Sequence, residues 1–194
     1  MVIVTSSFRR SDGRTQTELP TRTATKAEDM RSPNRAITVE TPARQEFFDV
    51  TEQLEAFVRE EGVSDGLAVV YSPHTSCCVI LQEESEDVTY YGTQLLLQDT
   101  LNVLAKIAPA TRHEGQYLHP GPIHIRNAGE LREELPEWGL NTDGHIISSI
   151  LGRSETIPVV DGRLVLGEFG RVYFGDLDSV RARTRTVHFQ LLAG

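Results

Sequence analysis

The chain has little sulfur, little lysine and no long apolar run. Its 194 residues include two cysteines, two methionines and one tryptophan, and only two of its 19 basic residues are lysine. The cysteines, Cys77 and Cys78, are adjacent. Neighbours on a strand point to opposite faces, so an ordinary bridge between them is disfavoured and a disulfide scaffold is excluded. No stretch reaches the roughly 18 apolar residues of a membrane span, and the apolar start is too short for a signal segment. No membrane association is expected, and the cytoplasm is the default compartment. CxxC and HExxH spacings are also missing, so no motif alone announces a metal site.

What is present bounds one ordinary domain. With 39% hydrophobic and 24% charged residues, the chain can bury a self-sufficient core. Net charge is −9 and unevenly spread: residues 1–34 hold six basic and four acidic groups, leaving 13 basic against 24 acidic in the remainder. An acidic body of this kind repels nucleic-acid phosphates, so no nucleic-acid partner is expected, and an anionic substrate needs a local basic patch. Arginine, which suits bidentate phosphate contacts, supplies 17 of the basic groups, a count that coding bias explains equally well.

Residues 1–34, rich in Ser, Thr, Arg and Asp, read as an extension preceding a single domain over 35–194. Strands are predicted at 36–39 and 46–48. An amphipathic helix follows, with Asp49 as N-cap, an apolar face of Val50, Leu54, Phe57 and Val58, and Gly62 as its end. Continuous apolar runs at 66–71 and 77–81 predict buried strands. Helix-like spacing of Val88, Leu95, Leu96, Leu101, Leu104 and Ile107 predicts a long helix ending at Pro109, with Gly92 a weak point. Residues 110–143 read as loop with a short helical piece at 128–135; a connection this long is usually functional or subunit-binding. Asp161-Gly162 between Ile157–Val160 and Arg163–Leu166 predicts a hairpin with a type I′ turn. A strand at 171–174 ending on Asp176 and Asp178, and a long strand at 183–192, complete an α+β reading with a largely antiparallel sheet.

The histidines carry the chemistry. His113, His124 and His188 read as loop or strand residues without a special setting, whereas His74, His119 and His145 stand beside turn or small-residue positions. His145 reads as lying just before a small-polar turn, Ser148-Ser149. Three imidazoles can hold a zinc-like ion and leave an open position. Thr75, Ser76, Ser148 and Ser149 offer hydroxyls for substrate or for capping turns, and Glu83 offers a carboxylate at a helix start. Arg181, Arg183 and Arg185 alternate on one strand, as an anion clamp or a solvated edge.

Taken together, His74-Thr75-Ser76 with Glu83, Tyr117-Leu118-His119, His145-x-x-Ser148-Ser149-x-Leu151-Gly152, Ile157-Pro158-Val159 and Gly162-Arg163-Leu164 up to Gly167 resemble the YjbQ-like family, described as secondary thiamine-phosphate synthases. The resemblance spans 36–194. It departs from the family at Cys77-Cys78, where a small residue and Ser are usual, and at Glu168-Phe169, where Thr-Trp is common. The wider spacing from His119 to His145 leaves His113 and His124 as alternatives for the middle histidine.

The resemblance implies an antiparallel sheet curled into a sandwich or barrel with two main helices, and a homotrimer. It implies a divalent metal on His74, His119 and His145, with zinc or another transition metal suited to imidazole and Mg²⁺ possible though oxygen-seeking. Asp176 corresponds to an acidic residue of the family and, with His74 and Glu83, is the catalytic candidate; Arg181 corresponds to a basic one and, with Thr75, Ser76, Ser148 and Ser149, is a candidate for binding a small phosphorylated metabolite. The implied reaction joins a pyrimidine diphosphate to a thiazole phosphate and releases diphosphate. The alternatives are a metal-dependent hydrolase with Asp176 or Glu83 as base, and a non-catalytic metabolite- or metal-binding trimer.

Overall fold

The computed structural model describes residues 32–193 and, before them, the backbone of two three-residue strands, β1 (Ser7–Arg9) and β2 (Thr15–Thr17), which pair antiparallel. The reading of 1–34 as an extension otherwise lies outside the described residues.

From Asn34 onward the chain forms two antiparallel sheets. The larger has strand order β3 (Asn34–Thr41), β10 (Arg183–Ala193), β5 (Gly66–Tyr71), β7 (Ser154–Val160) and β8 (Arg163–Leu164). The smaller has order β4 (Glu46–Asp49), β9 (Gly170–Asp176) and β6 (Cys77–Glu83). Four helices accompany them: α1 (Thr51–Glu61), α2 (Leu95–Ile107), α3 (Pro122–Arg132) and α4 (Thr142–Leu151). The α+β class and antiparallel pairing are as expected, with four helices where two were.

Burial explains the unbroken apolar run of β6, whereas β5, also expected to be buried, leaves Leu67 and Tyr71 exposed. Cys77 and Val79 of β6, with Val172 and Phe174 of β9, face a core shared with α1 and the larger sheet. The alternate residues, Cys78, Ile80 and Tyr173, face a second core with Leu97, Leu101 and Leu104 of α2 and Ile147 of α4. A strand covered on both faces has no polar side to alternate with. Each large side chain fully buried here, such as Phe189 or Leu54, stabilises by about 1.5–3 kcal/mol relative to exposure.

Local signals hold with instructive shifts. The N-cap of α1 is Val50 and not the expected Asp49, and no side chain caps it; Asp49 stands one residue earlier, where its Oδ1 accepts the Thr51 N–H (2.8 Å). Asp161 and Gly162 both take positive φ (51° and 73°), the geometry of a type I′ hairpin turn. The long helix begins only at Leu95, because Gly92 sits in a turn at φ 84°. The predicted turn at Ser148-Ser149 is helix α4. The Ser148 hydroxyl donates to Cys77 O, and that of Ser149 donates one turn back to His145 O at 2.9 Å, so neither competes with the helix. Strand β10 pairs with β3 over residues 183–190 and with β5 only from His188 onward, so Arg183 and Arg185 have one strand neighbour, yet Arg185 is buried.

Candidate functional site

Strand β10 sets the floor of the site. Its inward register runs Arg185, Val187, Phe189, Leu191, so an arginine occupies a core position and is 6% exposed. Arg185 is tolerated there because Asp176, fully buried at the end of β9, meets it in a two-point ion pair: Nε to Oδ2 at 2.8 Å and Nη2 to Oδ1 at 3.0 Å. Thr41 Oγ1 and the Asp178 N–H add hydrogen bonds to the same carboxylate, at 2.7 and 3.1 Å. Burial alone would raise the pKa of Asp176, but the bonds from Arg185 and Thr41 outweigh it and hold the carboxyl below the ordinary range.

This ion pair supports the Ser72–Ser76 turn between β5 and β6. Arg185 Nη2 donates to Ser76 Oγ (3.2 Å), and the Thr186 N–H donates to His74 Nε2 (2.9 Å). An imidazole nitrogen that accepts an N–H carries no proton, so neutral His74 bears its hydrogen on Nδ1. Burial, then the Arg185 charge, lowers the pKa of His74 and favours this neutral form.

Two cavities adjoin at Thr75 and His145, which line both. The first, ≈ 270 Å³, is polar and includes His74, Ser76, Asn141, Asp178 and Arg183. Its acid is neutralised: Asp178 Oδ2 accepts from Asn141 Nδ2 (2.9 Å) and Arg183 Nη2 (2.7 Å). Arg183 Nε is buried without a partner among the described residues. The second cavity, ≈ 620 Å³, is walled by His119, His124, His145, Ile146 and Ile150. The His119 ring lies edge-to-face against His124 and His145, with centroids 4.9 and 5.5 Å away.

Hydrogen bonds assign these tautomers too. His145 Nδ1 lies 3.0 Å from the Thr75 carbonyl, which can only accept, so Nδ1 is protonated. The Thr142 hydroxyl donates its one proton to His119 O (2.6 Å), so His119 Nδ1, 2.9 Å from the same oxygen, donates to it. Nε2 of both rings therefore carries a lone pair. Burial, then the neighbouring His124 and His145, lowers the pKa of His119.

Close packing places α4 within this frame. A Cβ on Gly144 would stand 2.7 Å from Leu177 O, so only glycine lets the start of the helix, and His145 with it, approach the chain after β9 so closely.

The structure thus brings His74, Thr75, Ser76, His119, His145 and Ser149 to one pair of adjoining cavities. The ring that gathers neighbours is His119, which meets both His124 and His145, while His74 Nε2 is held by the backbone of β10. Among the described residues no group of three or more His, Cys, Asp or Glu side chains is arranged to hold a metal ion. The residues do not fit the triad His74, His119, His145 as a metal site.

Other candidates lie elsewhere. Glu83 is exposed at the far end of β6, six residues beyond Cys77. Asp176 is sealed beneath Arg185, Ser148 is buried on Cys77 O, and Arg181 pairs with Glu134 (3.0 Å) while stacking over Trp138 at 3.9 Å. Cys77 and Cys78 are free but buried, and burial raises both thiols, that of Cys78 to about 12, so neither is a ready nucleophile. Sequence reasoning passed over Thr142 and Asn141 as site components, underrated His124, and had Arg183 only as part of an anion clamp; for Thr142 and Asn141 the one signal was their setting at the end of a long segment read as loop. A further cavity, ≈ 460 Å³, is lined by Asp49, Glu52, Glu55 and Glu84 with Arg171 as its one cation, a setting that repels phosphates.

Relatives share this scaffold. A UPF0047 protein of Archaeoglobus fulgidus is 30% identical over 147 residues, covering 76% of this chain and 93% of its own. The UPF0047 protein YugU of Bacillus subtilis is 28% identical over 151 residues, covering 77% and 93%. The crystal structure of the hypothetical protein APE1520 from Aeropyrum pernix K1 superposes with a TM-score of 0.63 at 28% identity, over 84% of this chain and 99% of its own. The family profile described as UPF0047 protein YjbQ-like matches residues 35–194, and the chain belongs to that family.

Proposed function

We propose that the chain is a small-substrate transferase of the thiamine-phosphate-synthase type, joining a pyrimidine diphosphate to a thiazole phosphate. The observation that carries this reading is the pair of adjoining cavities of opposite character that share Thr75 and His145. The polar cleft suits a leaving diphosphate: His74 Nδ1–H and the Thr75 hydroxyl are donors that can meet oxyanions, and the guanidinium of Arg183 lines the same cleft. The imidazole cavity suits a flat ring.

The bond changes favour transfer over hydrolysis. The thiazole nitrogen lone pair forms the new C–N bond at the pyrimidine methylene, the C–O bond breaks, and its electron pair leaves with diphosphate. No proton is removed, so no general base is needed. A hydrolase needs a base for water, and its two candidates are unsuited, since Asp176 is held by Arg185 and Glu83 stands at the far strand end. Catalysis here is positioning plus donors aimed at the charge that develops on the leaving group. Any Mg²⁺ the reaction uses would arrive on the diphosphate oxygens, which it prefers to imidazole.

We further propose that the protein works as a homotrimer. Leu118 and Ile123, apolar and exposed beside His119 and His124, support subunit contact at the rim of the site.

The test is formation of thiamine phosphate by purified protein, with His145→Ala as control. The variant should lose on the order of 10² in rate through lost positioning. Equal turnover by both proteins would sink the site, and no product from either would sink the reaction.

A further inference from the structure

We propose that Gln45, Thr111 and Asp143 are positioning residues, a hydrogen-bonded network behind the site that fixes the imidazole cavity and the polar cleft in relation to each other. This rests on the reading of the two cavities as seats for reacting partners, and it names what sets their spacing.

Asp143 is the node. It is 3% exposed in the first turn of α4, next to Thr142, which holds His119, and two residues before His145. A buried carboxylate needs hydrogen bonds in place of water, and three neutral donors supply them. Thr111 gives Oδ1 its N–H (3.1 Å) and its hydroxyl (2.8 Å), and Gln45 Nε2 gives Oδ2 a third bond (3.2 Å). The Thr111 hydroxyl oxygen in turn accepts the Asp143 N–H (3.3 Å), a donor that the start of a helix leaves without an intrahelical partner.

The network reaches both cavities from behind. Toward the imidazole cavity, the loop at 109–121 is pinned to consecutive residues of α4: Thr111 to Asp143, and His119 to Thr142. Between the pins Gln116 braces the loop, donating to Ala110 O and accepting the Arg112 N–H, both at 2.9 Å. The placement of His119 against His145 therefore follows the start of α4. Toward the polar cleft, the second hydrogen of Gln45 Nε2 goes to Leu177 O (3.1 Å), and the Leu177 N–H donates to Ser76 O (3.0 Å). Ser76 lines the cleft. A run of hydrogen bonds thus leads from the wall loop through Asp143, Gln45 and Leu177 to the turn that carries His74, Thr75 and Ser76. Gln45, Thr111 and Asp143 line neither cavity, so their effect is on spacing and not on contact with a ligand.

Transfer between two seats depends on their separation, and a misplacement of about 1 Å can cost about 10² in rate. Binding within one seat does not depend on it. The experiment is steady-state transfer kinetics of the full chain and of Gln45→Met and Thr111→Val, which keep side-chain size and break different arms of the network. In each variant kcat should fall on the order of tenfold while both KM values stay within about twofold. Thr111→Ser, which keeps the hydroxyl, should recover most of the rate. Imidazole ¹⁵N NMR of the ligand-free chain supplies a readout that needs no turnover: the His119 and His145 signals should shift in Gln45→Met, although Gln45 bonds to neither ring. Unmoved signals, kcat kept in both variants, or a raised KM with kcat kept would each overturn the proposal; variants on separate arms guard against loss of fold in one. Shifted signals in a chain that turns over no substrate remove the transferase and leave the network, whereas turnover that both variants retain removes the network and leaves the transferase.

Discussion

The two adjoining cavities are built in opposite ways. The polar cleft rests on strand β10 and a turn whose charges are largely answered by one another: Asp176 by Arg185, Asp178 by Arg183 and Asn141. The imidazole cavity is built from α4 and the irregular segment before α3, and its ring nitrogens keep unanswered acceptors. Polar groups that satisfy each other make a rigid floor, while those left open await a ligand. The contrast predicts that damage to the floor is read first in stability and damage to the wall mainly in binding.

The largest effect should come from Asp176→Ala. It leaves buried Arg185 with only a longer contact to Asp178 (3.8 Å), and breaking the main pair should cost about 3 kcal/mol. Chemical denaturation of variant and wild type measures it, and a loss under about 1 kcal/mol would mean that the floor is not held by this pair. Next, Gly144→Ala forces a Cβ against Leu177 O and should cost about 1–3 kcal/mol, with α4 displaced and pyrimidine affinity reduced. If affinity survives intact, the closeness of α4 to the chain after β9 does not set the wall. By contrast, His119→Phe alters a partly exposed ring on the wall and should change stability by no more than about 0.5 kcal/mol while lowering the rate of transfer. A large stability loss there would erase the distinction between wall and floor.

The same contrast explains what could be read from residues alone. The floor was half legible. The alternation Arg185-x-Val187-x-Phe189-x-Leu191 marks a strand, and the two-sided runs of β6 and β9 mark buried ones. The partnership of Arg185 with Asp176 was not legible, because it depends on two sheets meeting, and an arginine in alternating register looks the same on a solvated edge. The wall was less legible still. Ser148 and Ser149 resemble a turn when their bonds to Cys77 O and His145 O cannot be seen. His119 and His145 were singled out by their neighbours, whereas His124 was read as loop although it lies in helix α3, whose start between prolines shows little apolar periodicity, and nothing local shows that His74 Nε2 is taken up by Thr186.

The smallest expected effect is the acid response, in which the imidazoles and the buried carboxylate act at different pH. His74 and His119 both lie below the ordinary imidazole value of 6.5, His74 through burial and then Arg185, His119 through burial and then its histidine neighbours. As pH falls, the unfolded chain takes up these protons first. Stability is therefore full above 6.5 and declines below it until the folded rings titrate. For His74 the physical obstacle is the Thr186 N–H, which a proton on Nε2 would displace. Asp176 titrates lower: its folded carboxyl is held below the ordinary 3.8, so its contribution is present above that value and lost as pH falls through the folded one. Denaturant stability followed from about pH 8 to about pH 3 should show a shallow upper decline and a steeper lower one. His74→Gln, which offers an acceptor but cannot titrate, should flatten part of the upper limb and leave the lower untouched. An upper limb as steep as in wild type would mean that His74 takes up its proton without losing the Thr186 N–H, and the tautomer argument for the cleft would fail with it.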